Sequence, residues 1–218
     1  PVPLAVVPPC PVCTDPRTTP FARADARDYW RCPSCEATFL DPAHRLTHGE
    51  EEEHYRLHRN TVDDAGYRRF LSRLATPLLE KLAPGASGLD YGCGPGPALA
   101  AMLTEAGHAM SLYDPLFRDE RSVLDRTYDF VTCTEVAEHF HHPRDEFERL
   151  DGLLKPGGWL AVMTAFLADG EDFARWHYRR DPTHVVFYRE ATFHVIARLR
   201  GWHCEIPVAN VALMRKAG

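Results

Sequence analysis

Apolar positions recur along this chain in two rhythms. Tyr67, Phe70, Leu71, Leu74, Leu78 and Leu82 fall at threes and fours, which predicts an amphipathic helix. Pro77 should kink or restart that helix, and Pro84-Gly85 should stop it. From Ser87 onward, short apolar runs alternate with helical segments. Leu89-Asp90-Tyr91 closes a first strand, and Pro97 to Ala106 is an alanine-rich helix ended by Gly107. Ala109 to Tyr113 is a second strand, and Tyr128 to Cys133 a buried one. Arg144 to Leu154 follows as a helix with Phe147, Leu150 and Leu154 inward, before Lys155-Pro156-Gly157-Gly158 turns into the strand Trp159 to Thr164. Ala191 to Arg200 is a last helix ended by Gly201, and Trp202 to Ile206 and Val208 to Met214 are two closing strands. The alternation predicts an α/β fold: a Rossmann-like, doubly wound, mostly parallel sheet with helices on both faces.

The first 45 residues follow neither rhythm. Four of the seven cysteines stand in two Cys-x-x-Cys units, Cys10-Pro11-Val12-Cys13 and Cys32-Pro33-Ser34-Cys35, with 18 residues between them. Duplicated short turns of this kind offer four thiolates to one tetrahedral ion, so residues 1–45 read as a small zinc ribbon. Four thiolates saturate zinc and leave no position for water or substrate, which makes the site structural. Asp28 to Arg31 and Ala37 to Leu40 are short strands around the second unit. Residues 46–85 form a helical connector that opens with Glu50 to Glu53, and 86–218 the α/β core. His54 and His58 have the i, i+4 spacing of a helical metal pair, but in so charged a run a solvated helix face is the better account.

Composition narrows the function classes. With 218 residues, 44% hydrophobic and 26% charged, the chain can bury a sizeable core and is not a disordered or coiled-coil protein. A formal charge of −6 disfavours general nucleic-acid binding. No apolar run approaches the roughly 18 residues of a membrane span, and the proline-broken PVPLAVVPP lacks the basic flank of a signal peptide. A soluble, cytoplasmic protein is expected.

The turn after the first core strand reads Gly92-Cys93-Gly94-Pro95-Gly96. Glycines there allow a sharp strand-to-helix turn and close approach of a ligand to the backbone. The G-x-G-x-G spacing, with prolines at 95 and 97, differs from the dinucleotide fingerprint. The next strand ends in Asp114, whose carboxylate can accept both hydroxyls of a ribose, so a nucleoside cofactor is indicated.

Four motifs in order now carry a resemblance: Leu89 to Gly96, Tyr113-Asp114-Pro115, Tyr128 to His139, and Leu153-Leu154-Lys155-Pro156-Gly157-Gly158. Over residues 60–218 the sequence resembles the class I S-adenosylmethionine-dependent methyltransferases. The resemblance implies that Gly92, Gly94 and Gly96 line the methionine part of S-adenosylmethionine, that Asp90 lies near its ammonium, and that Asp114 holds its ribose. Pro115, Leu116, Cys133, Thr134 and Glu135 are implied to border the same cofactor. In one respect the sequence departs from the family: only 14 residues separate Asp114 from Asp129, so the usual third strand and its adenine-binding acid are shortened or missing. Leu116, Phe117 and Asp119 are the candidates for the adenine.

Methyl transfer from a sulfonium is governed mainly by positioning, so a base is optional. His139 is the leading base. Glu135, Glu138 and His139 would share one face of a helix, and His184 can approach from the segment Trp176 to His184, which reads as too polar for core and which the resemblance implies is a substrate lid. The arrangement resembles that of small-RNA 3′-end ribose methyltransferases, in which it binds a divalent metal. It equally resembles ubiquinone-type O-methyltransferases, which act on small molecules. Plain base catalysis by His139, aided by Glu138 and His184, is the preferred expectation, with a second divalent metal as the alternative. A small-molecule acceptor is expected; the runners-up are an RNA acceptor gripped by the ribbon, for which Arg179, Arg180 and the ribbon arginines would form a positive surface, and a cofactor-binding regulator without transfer activity.

Overall fold

The computed structural model describes residues 7–56 and 61–218. His58 lies outside the described residues, so the spacing of His54 and His58 is not placed. The elements are β1 (Thr19–Ala24), β2 (Arg27–Arg31), β3 (Thr38–Leu40), α1 (His48–Tyr55), α2 (Ala65–Leu79), β4 (Ser87–Tyr91), α3 (Ala98–Glu105), β5 (Ala109–Tyr113), β6 (Tyr128–Thr134), α4 (Pro143–Gly152), β7 (Leu154–Met163), β8 (Val186–Phe187), α5 (Glu190–Arg200), β9 (His203–Val208) and β10 (Val211–Arg215).

Six strands form the main sheet in the order β5-β4-β6-β7-β10-β9. The first three contacts are parallel, and β10 runs antiparallel to both β7 and β9. The interior strands are buried on both faces, and their side chains alternate between two cores. Val131, Cys133, Leu160, Val162, Ala212 and Met214 meet Phe147 of α4 and Phe193 and Ile196 of α5. Phe130, Ala161, Met163, Val211 and Leu213 meet Leu71, Leu74 and Leu78 of α2 and Leu99 and Leu103 of α3. Helices on both faces are what a parallel sheet needs to bury both sides, and the doubly wound expectation holds.

Between β5 and β6 there is no strand. Asp114 and Arg118 form a tight bridge, and a 3₁₀ turn at Arg121–Asp125 leads directly into β6. The third strand is therefore missing and β5 is the edge of the sheet. Two helix expectations need correction. The helix does not restart at Pro77, which lies inside α2, and α2 ends at Leu79, ahead of Pro84-Gly85.

A second, four-stranded sheet has the order β1-β2-β3-β8. Its β1 was not predicted, and its fourth strand comes from residues 186–187, paired antiparallel with β3. Around β8 much of the segment expected to be too polar for core is buried, with His177 and Arg180 left exposed. Trp176, Tyr178, Thr183 and His184 are buried, and Arg179 is 2% exposed. The guanidinium of Arg179 is satisfied by Asp25 Oδ2 at 2.7 Å and by the carbonyls of Phe173 and Ala174. Complete pairing is what lets a charged side chain be buried.

Candidate functional site

The C-terminal ends of β4, β5 and β6 meet at one cleft of about 910 Å³, within the range of small-molecule sites. Residues 92–95, 113–117, 134–136 and 138–142 line it, with Tyr91, Asp181 and His184. The helix α1 roofs one end through His48, Glu51, Glu52 and Tyr55.

The glycine turn is built by backbone conformation. Gly92 and Gly94 have φ of 79° and 63°, a region that costs most residues energy. The amides of Gly92 and Cys93 both donate to Tyr113 O, at 2.8 and 3.1 Å, which holds the turn against the end of β5. A Cβ on Gly92 would collide with Val136 at 2.4 Å, whereas one on Gly94, which lines the cleft, would meet nothing within 4 Å. Asp114 knots the same region together. Its Oδ2 accepts from Gly94 N at 3.0 Å and its Oδ1 from Leu116 N and Phe117 N at 2.9 and 3.0 Å. That occupies three of roughly four acceptor positions of a carboxylate, so Oδ2 keeps capacity toward the cleft.

Asp90 and Gly96 line a small recess that opens beside the turn. Asp90 accepts from Thr132 Oγ1 at 2.7 Å, and burial pushes its carboxyl up to about 6. Thr134 borders both recess and cleft, and its hydroxyl is buried without a hydrogen-bond partner among the described residues. An orphaned hydroxyl beside an open glycine turn and an acceptor carboxylate is the donor set a nucleoside with a charged amino acid tail requires, so the residues present fit S-adenosylmethionine. Cys133, by contrast, is wholly buried and does not line the cleft; Asp119, paired with Arg121 at 3.0 Å, does not line it either.

At the other end of the cleft the expected helical face does not exist. Glu135 has φ of 52°, and only a 3₁₀ turn at Ala137–His139 follows. The side chains converge nonetheless. Tyr178 donates to Glu138 Oε1 at 2.5 Å, and its oxygen lies 3.3 Å from Glu135 Oε2. A hydroxyl has one hydrogen, so with it committed to Glu138 the Glu135 contact becomes a hydrogen bond only when Glu135 carries a proton. Burial, with the nearby Glu138, pushes Glu135 up to about 9, in agreement. Burial also raises Glu138 and lowers His184.

The two imidazoles are oriented by carbonyls, which only accept. His139 Nδ1 lies 3.1 Å from Thr183 O and His184 Nδ1 lies 2.6 Å from Tyr178 O, so in each ring Nδ1 carries the hydrogen and Nε2 is the acceptor of the neutral form. Both Nε2 atoms face Glu138 Oε1, at 3.8 and 4.0 Å, while Glu138 Oε2 is buried with no hydrogen-bond partner among the described residues. Tyr55 packs edge-on to His139, and α1 is tied across the cleft by Glu51–His141 at 2.7 Å and His54–Asp181 at 3.3 Å.

Nothing in the local sequence marks Tyr178 and Tyr55 as site residues. Each sits in a segment whose local pattern looks like surface, and only its aromatic character hints at burial.

The four ribbon cysteines also converge. Cys10 and Cys35 sulfurs are 3.5 Å apart, as are those of Cys13 and Cys32, and all four lie within 4.8 Å of one another. Tetrahedral zinc with sulfur at about 2.3 Å implies sulfur–sulfur separations of about 3.8 Å, so the set fits that ion. The two turns are built alike: Thr14 N donates to Cys10 O and Glu36 N to Cys32 O, and Thr14 and Glu36 both have positive φ.

A family model described as a methyltransferase domain matches residues 55–205. The ubiquinone biosynthesis O-methyltransferase of Colwellia psychrerythraea is 30% identical over 87 residues, which are 39% of this chain and 35% of that protein, so the match spans little over a third of the relative's length. Among solved structures, the Burkholderia thailandensis 1,6-didemethyltoxoflavin-N1-methyltransferase, with bound 1,6-didemethyltoxoflavin and S-adenosylhomocysteine, superimposes with a TM-score of 0.55 at 18% identity, covering 91% of this chain and 99% of that one. Magnesium protoporphyrin IX methyltransferase from Synechocystis PCC 6803, with bound S-adenosylhomocysteine, gives 0.50 at 17% identity, covering 78% and 94%. At these identities the two structures speak for the fold.

Proposed function

Because this chain belongs to the methyltransferase-domain family, we propose that it transfers a methyl group from S-adenosylmethionine to an oxygen or nitrogen of a small-molecule acceptor. The observation that carries the proposal is the single cleft in which the glycine turn with Asp114 occupies one end and the Glu138–His139–His184 cluster the other.

When bound, S-adenosylmethionine supplies an electrophilic methyl on a positively charged sulfur. Residues 92–96 would cradle its amino acid portion, Asp90 would face the ammonium, Asp114 would take the ribose, and Pro115, Leu116, Thr134 and Glu135 would border it. Holding an acceptor atom in line contributes roughly 7–11 kcal/mol through positioning. His139 receives the acceptor's proton at Nε2, since its Nδ1 hydrogen is committed to Thr183 O, and the buried Glu138 stabilises the imidazolium that results. Such a base adds about 10²- to 10⁴-fold where the acceptor must lose a proton. The acceptor is small because the cleft is roofed by α1, and of the arginines that would grip RNA, Arg179 is buried.

A second reading gives the same cluster to a divalent ion. At 3.8 and 4.0 Å neither Nε2 is within the roughly 2.7–3.2 Å of a hydrogen bond to Glu138. Ligand atoms of Glu138, His139 and His184 within 4.8 Å of one another, and the orphaned Glu138 Oε2, support that reading. The Cys10, Cys13, Cys32 and Cys35 set is assigned to structural zinc. None of the seven cysteines is in a disulfide, which suits a reducing compartment, and no described helix is long and apolar enough to cross a membrane.

The test is incubation of purified protein with methyl-labelled S-adenosylmethionine and separate metabolite and RNA pools. Label in small molecules is expected. Label in RNA alone would replace the acceptor class, and tight cofactor binding with no labelled product would leave a binding protein. Elemental analysis before and after mild chelation separates the two readings of the cluster. One zinc per chain and chelation-resistant activity mark His139 as a plain base; a second metal, lost together with activity and absent from His184→Ala, marks the ion.

A further inference from the structure

His184 reaches the cleft from residues 165–185, a stretch with almost no regular structure, so something outside it must set its position. The hydrogen bonds of one neighbour, Val185, show what does. Its N–H donates to Glu138 O at 2.8 Å, and its carbonyl accepts from Leu40 N at 2.9 Å. Val185 is thus held between the acceptor end of the cleft and β3 of the ribbon sheet. The next residues continue the pairing, Val186 opposite Phe39 and Phe187 opposite Thr38.

β3 and β2 form a hairpin closed by the second cysteine turn. Cys32 N donates to Ala37 O, and the strands pair from Arg31–Thr38 to Tyr29–Leu40. The second turn therefore governs the strand that holds His184. The first turn rests on the opposite wall. Pro11 O accepts from Arg144 N at 3.2 Å, and Thr14 Oγ1 accepts from Arg144 Nη1 at 3.0 Å. Arg144 lies in the first turn of α4, immediately beyond the turn that carries Glu138 and His139. One cysteine pair is tied to the Glu138–His139 wall and the other to the His184 wall, and an ion shared by both pairs fixes the distance between the walls.

We infer that the four-cysteine centre is a positioning element of the acceptor end: its metal sets the register of residues 178–188 against Glu138 and contributes no atom to the cleft. The inference rests on the proposed reading of the cleft for its functional meaning, but the mechanical link does not depend on it. Arg179 adds a parallel tie to the ribbon through Asp25 at 2.7 Å and Tyr29 at 3.4 Å. Among the described residues, no hydrogen bond ties the glycine turn or Asp114 to the ribbon. The glycine turn is held by Tyr113 and Asp114, which belong to the main sheet and its adjoining turn.

The test uses the full chain under reducing conditions, zinc-loaded, then stripped by chelation, then reloaded. Hydrogen exchange is followed by mass spectrometry on peptides covering 178–188 and 87–91, and S-adenosylhomocysteine affinity by calorimetry. Stripping is expected to speed exchange in 178–188 by about tenfold or more, leave 87–91 unchanged, keep affinity within about threefold, and reverse on reloading. Unchanged exchange in 178–188 would overturn the inference. So would loss of protection in 87–91 together with ligand binding, because the metal would then hold the whole fold. Asp25→Asn, at an exposed side chain, leaves all four cysteines in place and should loosen 178–188 in the same direction by a smaller factor; no change there would remove Arg179 from the link. If zinc-loaded protein fails to bind S-adenosylhomocysteine, the cofactor reading falls while the exchange result still decides the mechanical one.

Discussion

The two ends of the cleft are made by different means. The cofactor end is backbone: glycines 92 and 94 at positive φ, two amides on Tyr113 O, and a carboxylate that ties the turn at 114–117 to Gly94. Its parts come from two adjacent strands and the turns that leave them. The acceptor end is side chains: Glu138 and His139 from one turn, Tyr178 and His184 from a coil more than thirty residues later, and Tyr55 from a helix before the sheet begins. A backbone site is stiff and local, whereas a side-chain site assembled from distant segments depends on whatever holds those segments together. Perturbations at one end should therefore leave the other intact.

His139→Ala gives the sharpest separation. Turnover should fall about 10²- to 10⁴-fold in single-turnover assays, with S-adenosylhomocysteine affinity unchanged. Equal loss of both would mean that the two ends are one unit. The converse change, Asp114→Ala, should weaken S-adenosylhomocysteine binding by about 1.5–3 kcal/mol, the range for hydrogen bonds to a charged group, and Gly94→Val should do at least as much. Calorimetry that finds both variants unchanged would remove the cofactor assignment.

A smaller effect is expected from pH. Asp90 has a folded pKa raised to about 6 from 3.8, so the folded protein binds the proton more tightly than the unfolded chain. Stability of the ligand-free protein should accordingly fall as pH rises from about 4 to 6, by roughly 3 kcal/mol in total, and this slope should be absent in Asp90→Asn. Affinity for the cofactor's ammonium should move oppositely, weakening by up to about tenfold per unit as pH drops below 6. Thermal melts and calorimetry across that window check both signs. The smallest effect should come from the roof. Glu51→Gln weakens the hydrogen bond to His141, and exchange in residues 48–55 should quicken by no more than about fivefold, because a single hydrogen bond contributes about 1 kcal/mol net.

Much was legible in the chain itself. The strands at 87–91, 109–113 and 128–134 and the glycine turn are short-range features, set by apolar runs and by residues that tolerate positive φ, and the two Cys-x-x-Cys turns carry their chemistry in their spacing. The missing third strand was readable as a deficit of length between Asp114 and Asp129. Other features were decided only in three dimensions. Arg179 looks like surface until Asp25, Tyr29 and two carbonyls surround it, and residues 186–187 look like the edge of a loop until β3 supplies their partners. Glu135 and Glu138 were paired by helical periodicity, yet it is Tyr178 that joins them, from a different part of the chain. The reason is common to all three. Burying a charge, a two-residue strand or a pair of carboxyls is unfavourable in isolation and becomes stable only with partners from elsewhere, and one-dimensional patterns record a residue's own preference, not the partner that overrides it.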